Sequence, residues 1–191
     1  VLVDDWQRIE GAGPDVVIDA TLAKRNLGTR KNDAPLVIAL GPGFEAGTDA
    51  HVVIETNRGH DLGRIIERGR AEANTGVPGP IAGRAKERVL RAPAAGVFTS
   101  ELAIGDKVRK GDVVGHVAGH PVTAETEGVL RGLIRPGTEV WDGLKLGDID
   151  PRGRPEYCAT ISDKARTLSG SVLECVMRRH NRAPVAKPAP E

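Results

Sequence analysis

The chain has 191 residues, enough for one large domain or two small ones. Its 27 Lys+Arg against 26 Asp+Glu leave a formal net charge of +1, and only five residues (two Trp, two Phe, one Tyr) are aromatic. That balance and that lack of stacking surface exclude nucleic acid as a partner read from composition, and two cysteines cannot build a disulfide framework.

The 24 Gly and 13 Pro are too many for a helical protein and suit short strands joined by tight turns. The longest apolar run, Ala34 to Leu40, is seven residues and contains Pro35. A bilayer span takes about 20, so no membrane partner is expected. Val1-Leu2-Val3 reads as a strand, and the chain opens on valine rather than methionine, so a preceding segment is expected.

Three apolar runs follow. Val16-Val17-Ile18 ends in Asp19, Leu36 to Leu40 runs into Gly41-Pro42-Gly43, and Val52-Val53-Ile54 runs into Glu55-Thr56-Asn57-Arg58-Gly59-His60. Runs without alternation suit strands covered on both faces. Residues 62 to 72 are ambiguous: Leu62, Ile65 and Ile66 fit a helical stripe, whereas Gly63 and Gly69 argue for a strand pair. Gly76 to Gly83, with Pro78 and Pro80, reads as a linker.

From Glu87 to Ile149 the chain repeats itself at an offset of 32 residues. Ala92, Gly96, Val97, Gly105, Val108, Gly111 and Gly115 fall on Ala124, Gly128, Val129, Gly137, Val140, Gly143 and Gly147, and Val117 meets Ile149. The identities sit on turn glycines and core valines, the pattern of a duplicated β unit whose copies bury each other's faces. The stretches Arg91 to Val97 and Gly105 to Asp112 resemble the biotinyl/lipoyl carriers, a pseudo-twofold barrel-sandwich hybrid. Those carriers hold a modifiable lysine in the hairpin between copies. Here that hairpin, Ala118-Gly119-His120-Pro121-Val122, has no amine to acylate, so neither biotin nor lipoate is expected.

Asp150-Pro151-Arg152-Gly153 is a turn, and Tyr157 to Ile161 reads as a strand. Ser162 suits the cap of a helix starting at Asp163, with Ala165, Leu168, Val172, Leu173, Val176 and Met177 on its apolar face and Cys175 on the flank. Residues 183 to 191 read as a disordered tail. The expected fold is mostly β (α+β). It has a β-rich domain at 1–83, the barrel-sandwich hybrid at 84–150, a strand and helix at 151–180 that pack back, and a tail at 181–191.

The polar clusters lie after the strands, where loops commonly hold functional groups. Gly41 and Gly43 raise a phosphate cradle, but a strand rather than a helix follows and no Gly-Lys-Ser/Thr is present. Both an anion cradle and a plain tight connection fit. Arg58 and Arg64 suit bidentate contacts to phosphate or carboxylate, His60 suits a base, and Lys24-Arg25-Asn26 forms a second basic loop. With Glu55 and Asn57 they would form a site for an anionic, hydrogen-bonding ligand if the loops converge. The plain alternative pairs Arg58 and Arg64 with Glu55 and Asp61. His51, Glu55 and His60 make only a thin metal set, and no metal site is expected.

Longer segments resemble one family. They are Ala23 to Thr29, Asp33 to Phe44, Val53 to Arg64, Asp148 to Gly153, and Tyr157-Cys158-Ala159-Thr160-Ile161-Ser162-Asp163-Lys164-Ala165. The chain is similar to the selenium-dependent molybdenum hydroxylase accessory proteins (YqeB type). The resemblance implies a cytoplasmic maturation factor with a molybdenum hydroxylase client, and the molybdenum cofactor, a pterin with a phosphate, as a candidate ligand. It implies a further nucleotide-fold-like segment ahead of Val1. In such a pathway Cys158 is a candidate chalcogen carrier.

Two alternatives stand beside the accessory role. One is a small hydrolase or transferase using Lys24, Arg58 and His60; zinc-dependent acyl-amino-acid hydrolases append a similar two-copy β domain, but their His…Glu…His set is not found here. The other is a non-catalytic docking module. A homo-oligomer is left open.

Overall fold

A computed structural model describes Gly11, residues 13–77 and residues 79–181. The strand expected at residues 1–3, Pro78 of the linker and most of the expected tail lie outside the described residues. Among the described residues the chain is mostly β, with a C-terminal helix. It divides into two compact units, the first formed by residues up to Thr75 together with those from Asp163 onward, the second by Gly76–Ser162.

In the first unit, β1 (Val16–Asp19), β2 (Leu36–Leu40), β4 (Val52–Ile54) and β5 (Ile65–Ile66) form one sheet in that order. The first three are parallel and β5 is antiparallel to β4. Between β2 and β4 the chain makes β3 (Glu45–Ala46), which pairs with β6 (Gly69–Arg70) in a small separate sheet. The ambiguous segment 62–72 therefore contains two strands, but each pairs with an earlier strand rather than with the other.

Both faces of this sheet are covered, which is why β2 reads as an unbroken apolar run and is buried at every position. Leu36, Ile38, Leu40 and Ile54 pack against Leu168 and Cys175 of α1 (Asp163–His180). Val37, Ala39 and Val53 pack on the other side with Phe44, Ala46 and Ala71. Each large aliphatic side chain so buried contributes about 1.5–3 kcal/mol. The triplet at β1 misleads. It is an edge strand, and Ile18 remains 46% exposed.

α1 begins where expected but is rotated from the expected stripe. Cys175 is buried with Leu168 at the centre of the contact, while Leu173 and Met177 are exposed. Asp163, in its first turn, meets Arg58 beyond the carboxyl end of β4, and Arg179 lies near His51 just before β4. The helix thus runs antiparallel to β4, with its N-terminus at the carboxyl edge of the parallel strands. Gly63 allows this approach. A Cβ there would fall 2.6 Å from a Thr167 methyl, and Ser171 Oγ donates to the Gly63 carbonyl at 2.7 Å.

The second unit holds two four-stranded sheets. β7 (Val89–Arg91), β8 (Gly96–Thr99), β9 (Lys107–Val108) and β10 (Val113–Val117) come first in sequence. β11 (His120–Thr123), β12 (Gly128–Leu133), β13 (Glu139–Val140) and β14 (Lys145–Asp150) follow. The sheet orders are β11-β10-β8-β13 and β7-β14-β12-β9. Each sheet takes its central pair from one run of four strands and its outer strands from the other. Phe98, Val114, Val117, Leu130, Leu146 and Ile149 fill the space between. The β10–β11 hairpin turns at Ala118 (φ 48) and Gly119 (φ 83), two positive φ values as a type I′ turn requires.

Residues 157–161, expected as a strand, are not one. Pro155–Cys158 forms a 3-10 turn, and Thr160 Oγ1 donates back to the Glu156 carbonyl at 3.0 Å. Pro155 at the start favours a turn and supplies no ladder N–H. The buried carboxylate of Asp150 anchors the preceding turn, accepting from Arg152 Nε at 2.9 Å, Arg152 Nη2 at 2.6 Å and Arg131 Nη1 at 3.3 Å. These contacts, the Arg152 hydrogen bond foremost, hold its carboxyl below the usual range.

Candidate functional site

Three parallel strands aim their carboxyl ends at one edge of the first unit, and the loops that follow them form that edge. In open sheets with parallel strands, ligands characteristically sit outside the carboxyl ends.

The loop after β1 is organised by Asp19. Its Oδ1 accepts from the Thr21 backbone at 3.0 Å and the Thr21 hydroxyl at 2.7 Å, and its Oδ2 accepts from Thr29 Oγ1 at 2.6 Å. Asn26 closes the far side of the loop, donating to the Thr29 carbonyl and accepting from the Gly28 amide. Within this frame Leu22 (φ 55) and Lys24 (φ 65) sit in the left-handed region, unusual for residues with a Cβ. Such strain persists only where the surroundings impose it, and it concentrates at functional sites.

The loop after β2 packs directly on the first. A Cβ on Gly43 (φ 107) would lie 2.5 Å from the Arg25 Cα, so only glycine admits the Lys24–Arg25 backbone there. Gly41 has a different duty. Its amide donates to the Ile54 carbonyl at 2.8 Å and its Cα abuts Thr56. That amide belongs to the sheet rather than to an anion cradle.

The loop after β4 is anchored by Glu55, which is fully buried. Its two carboxylate oxygens accept the Asn57 and Glu72 amides, each at 2.7 Å. Asn57 Nδ2 donates to Glu72 Oε2 at 2.5 Å. Glu55 and Asn57 thus shape the loop that presents Arg58. Arg58 makes a two-pronged contact to Asp163 at 2.6 and 3.1 Å. Arg64 meets Asp61 at a loose 3.5 Å, and His60 is exposed in the same loop.

The first turn of α1 completes the edge with Lys164, which the sequence reading did not single out. It is partly buried, and burial, followed by the charges of Lys24 and Arg58, pushes its ammonium below the usual lysine range, with Glu55 opposing. Lys24, Arg58 and Lys164 therefore share one electrostatic neighbourhood although they come from three separate segments. A signal was present: a lysine in the first turn of a helix opposes the helix dipole, where acids are usual.

Cys158 belongs to the second unit. It is partly buried, with Sγ 3.6 Å from the Leu130 carbonyl. Nearby, the Arg152 and Arg154 guanidinium groups lie over the Tyr157 ring at 4.5 and 4.7 Å. Among the described residues, no group of three His, Cys, Asp or Glu is placed to hold a metal ion. An open depression of about 560 Å³ lies at the opposite, amino end of β1 and β2, lined by residues 13–15 and 32–35. Its polar groups serve the fold: the Asp15 carbonyl accepts from Leu36 and Asp33 Oδ2 accepts from the Arg30 amide.

No protein-family model matches the chain. Over 164 residues, 86% of its length, it is 54% identical to an uncharacterized protein of Escherichia coli (strain K12). The chain is similar to YqeB. It spans 30% of the length of YqeB. Among solved structures it is similar in part to an aspartoacylase family protein of Mesorhizobium loti (20% identity, TM-score 0.30, 43% of this chain and 27% of that one). The ectoine utilization protein EutE (DoeB) of Ruegeria pomeroyi gives 18% identity and TM-score 0.31 over 46% of this chain and 28% of that one. A succinylglutamate desuccinylase/aspartoacylase of Rhodobacter sphaeroides gives 23% and 0.30 over 46% and 30%. No helix of the described residues is long and apolar enough to cross a membrane.

Proposed function

We propose that the carboxyl edge of the β1-β2-β4 sheet binds a compact polyanion, and that the chain serves as an accessory factor in the maturation of selenium-dependent molybdenum hydroxylases. The support for the binding site is that the loop holding Lys24, the loop holding Arg58 and the first turn of α1, which holds Lys164, lie at one edge, where Gly43 admits the Arg25 backbone and Arg58 pairs with Asp163. Amide dipoles at a helix N-terminus add to the attraction for negative charge. The pathway rests on the resemblance of the motif segments, YqeB supporting the family name.

The molybdenum cofactor is the proposed ligand. The donor set suits its phosphate: two cations on strand-end loops and one in the first turn of α1, one of them a guanidinium able to grip two oxygens. When bound, that cofactor would supply the metal centre of the client. This chain's residues would hold and orient the phosphate end. Asp163 would yield Arg58 to the incoming anion, since an exposed ion pair is held by only about 0–1 kcal/mol.

The test is pterin content after co-expression with the cofactor pathway, read by fluorescence of the oxidised pterin. Near-stoichiometric pterin on the wild type and its loss in Arg58→Met support the reading. Pterin-free protein that forms a stable client complex would replace it with a docking role.

A further inference from the structure

Gly41 gives its amide to the sheet, but the loop after β1 is built differently. Its two shoulders are fixed: Asp19 Oδ1 accepts the Thr21 amide at 3.0 Å, and Asn26 Oδ1 accepts the Gly28 amide at 2.8 Å. Between these shoulders the amides of Leu22, Ala23, Lys24 and Arg25 meet no acceptor among the described residues. Leu22, Lys24 and Arg25 are exposed, so a ligand can reach this stretch from solvent.

The backbone here alternates. Leu22 (φ 55) and Lys24 (φ 65) have positive φ, whereas Thr21, Ala23 and Arg25 do not. Alternation of this kind turns successive N–H groups toward one point and makes the concave amide nest found in phosphate loops. Glycine would adopt such a backbone without penalty, but leucine and lysine do not. The surroundings impose it: Asp19 holds the hydroxyls of Thr21 and Thr29 at 2.7 and 2.6 Å, and the Arg25 backbone is seated on Gly43, where a Cβ would fall 2.5 Å from the Arg25 Cα.

We infer that the main-chain amides of Leu22 to Arg25 cradle a terminal phosphoryl group, resting on the anion-binding reading above. Lys24 and Arg58 then neutralise its charge from the side. A phosphoryl group offers three strong acceptor oxygens to a ring of donors, one more than a planar carboxylate. The missing Gly-Lys-Ser/Thr sequence is no obstacle, because the donors are backbone groups set by φ rather than by side-chain identity.

The test follows each amide of the 15N-labelled full chain by NMR while pyrophosphate is added. Saturating downfield shifts are expected at Leu22, Ala23, Lys24 and Arg25. They should exceed those at Thr21 and Gly28, whose amides are already bonded, and acetate at equal ionic strength should not produce them. Leu22→Val leaves every charge in place but puts a β-branched residue at positive φ, and should weaken pyrophosphate binding about tenfold. Ala118→Val makes the same change at φ 48 in the β10–β11 hairpin and should leave binding unchanged. Pyrophosphate bound in calorimetry with the four amides unmoved overturns the cradle and leaves the side-chain site standing. Equal shifts with acetate overturn the phosphoryl assignment. Absence of saturable pyrophosphate binding to the wild type overturns both the cradle and the anion site.

Discussion

Replacing Gly43 by alanine isolates the contact on which the site is built. The residue has φ 107, and a Cβ would lie 2.5 Å from Cα and 2.6 Å from N of Arg25, backbone atoms that cannot swing aside. Gly47, in the same connection, supplies the control: it has φ 95, and a Cβ there meets nothing within 4 Å. Both substitutions incur the left-handed penalty of about 1–2 kcal/mol. Gly43→Ala adds the strain of overpacking, about 1–3 kcal/mol. Urea denaturation should therefore place Gly43→Ala about 1–3 kcal/mol below Gly47→Ala, and only Gly43→Ala, by displacing Lys24, should weaken pyrophosphate binding. Equal losses of stability with equal retention of binding would show that the two loops do not support one another.

Three other outcomes follow from the same structure. Asp163→Ala should cost no more than about 1 kcal/mol, because its pair with Arg58 is largely exposed, and should strengthen pyrophosphate binding by removing a competitor for the guanidinium. Cys175 lies buried against the sheet, and burial pushes its thiol up, so disulfide reagents should modify partly exposed Cys158 first and reach Cys175 only on unfolding. His51 Nδ1 accepts the Val37 amide at 3.0 Å, and burial, then Lys31 and Arg179, lowers its pKa. Its contribution to stability is therefore present above pH 6.5, the ordinary value, and is lost as pH falls through the lowered folded value. Denaturation midpoints should decline over that range, and His51→Asn should flatten the decline.

The parts of the fold legible in sequence were those decided by local chemistry. Leu36 to Leu40 announced a strand covered on both faces, and the start of α1 at Asp163 followed from Ser162 beside an apolar stripe. What escaped depends on neighbours distant in sequence. Val16 to Ile18 looks like the other apolar runs but lies on an edge strand, which composition cannot show. Leu173 and Met177 fit the apolar stripe as well as Cys175 does, and only the docking of α1 on β2 and β4 decides which turn inward. Pro155 was the overlooked warning against a strand at Tyr157.

The site divides in the same way. Lys24 and Arg58 were visible as basic residues following strands. The parallel order β1-β2-β4 brings their loops to one edge, a fact of topology rather than of motif. Gly41 and Gly43 looked alike in sequence, yet one gives its amide to the sheet and the other makes room for the Arg25 backbone. Lys164 was hidden because its neighbourhood is assembled from segments more than a hundred residues apart in sequence.

On the proposed reading, Lys24, Arg58 and Lys164 form one anion site. Calorimetric titration of pyrophosphate into the full chain, the wild type beside Lys24→Met, Arg58→Met and a control at Arg135, tests it most directly. One saturable site that weakens with salt is expected, with a loss of about tenfold or more in each of the two site variants and no change at Arg135. Absence of saturable binding, or equal affinity in all four proteins, would contradict it.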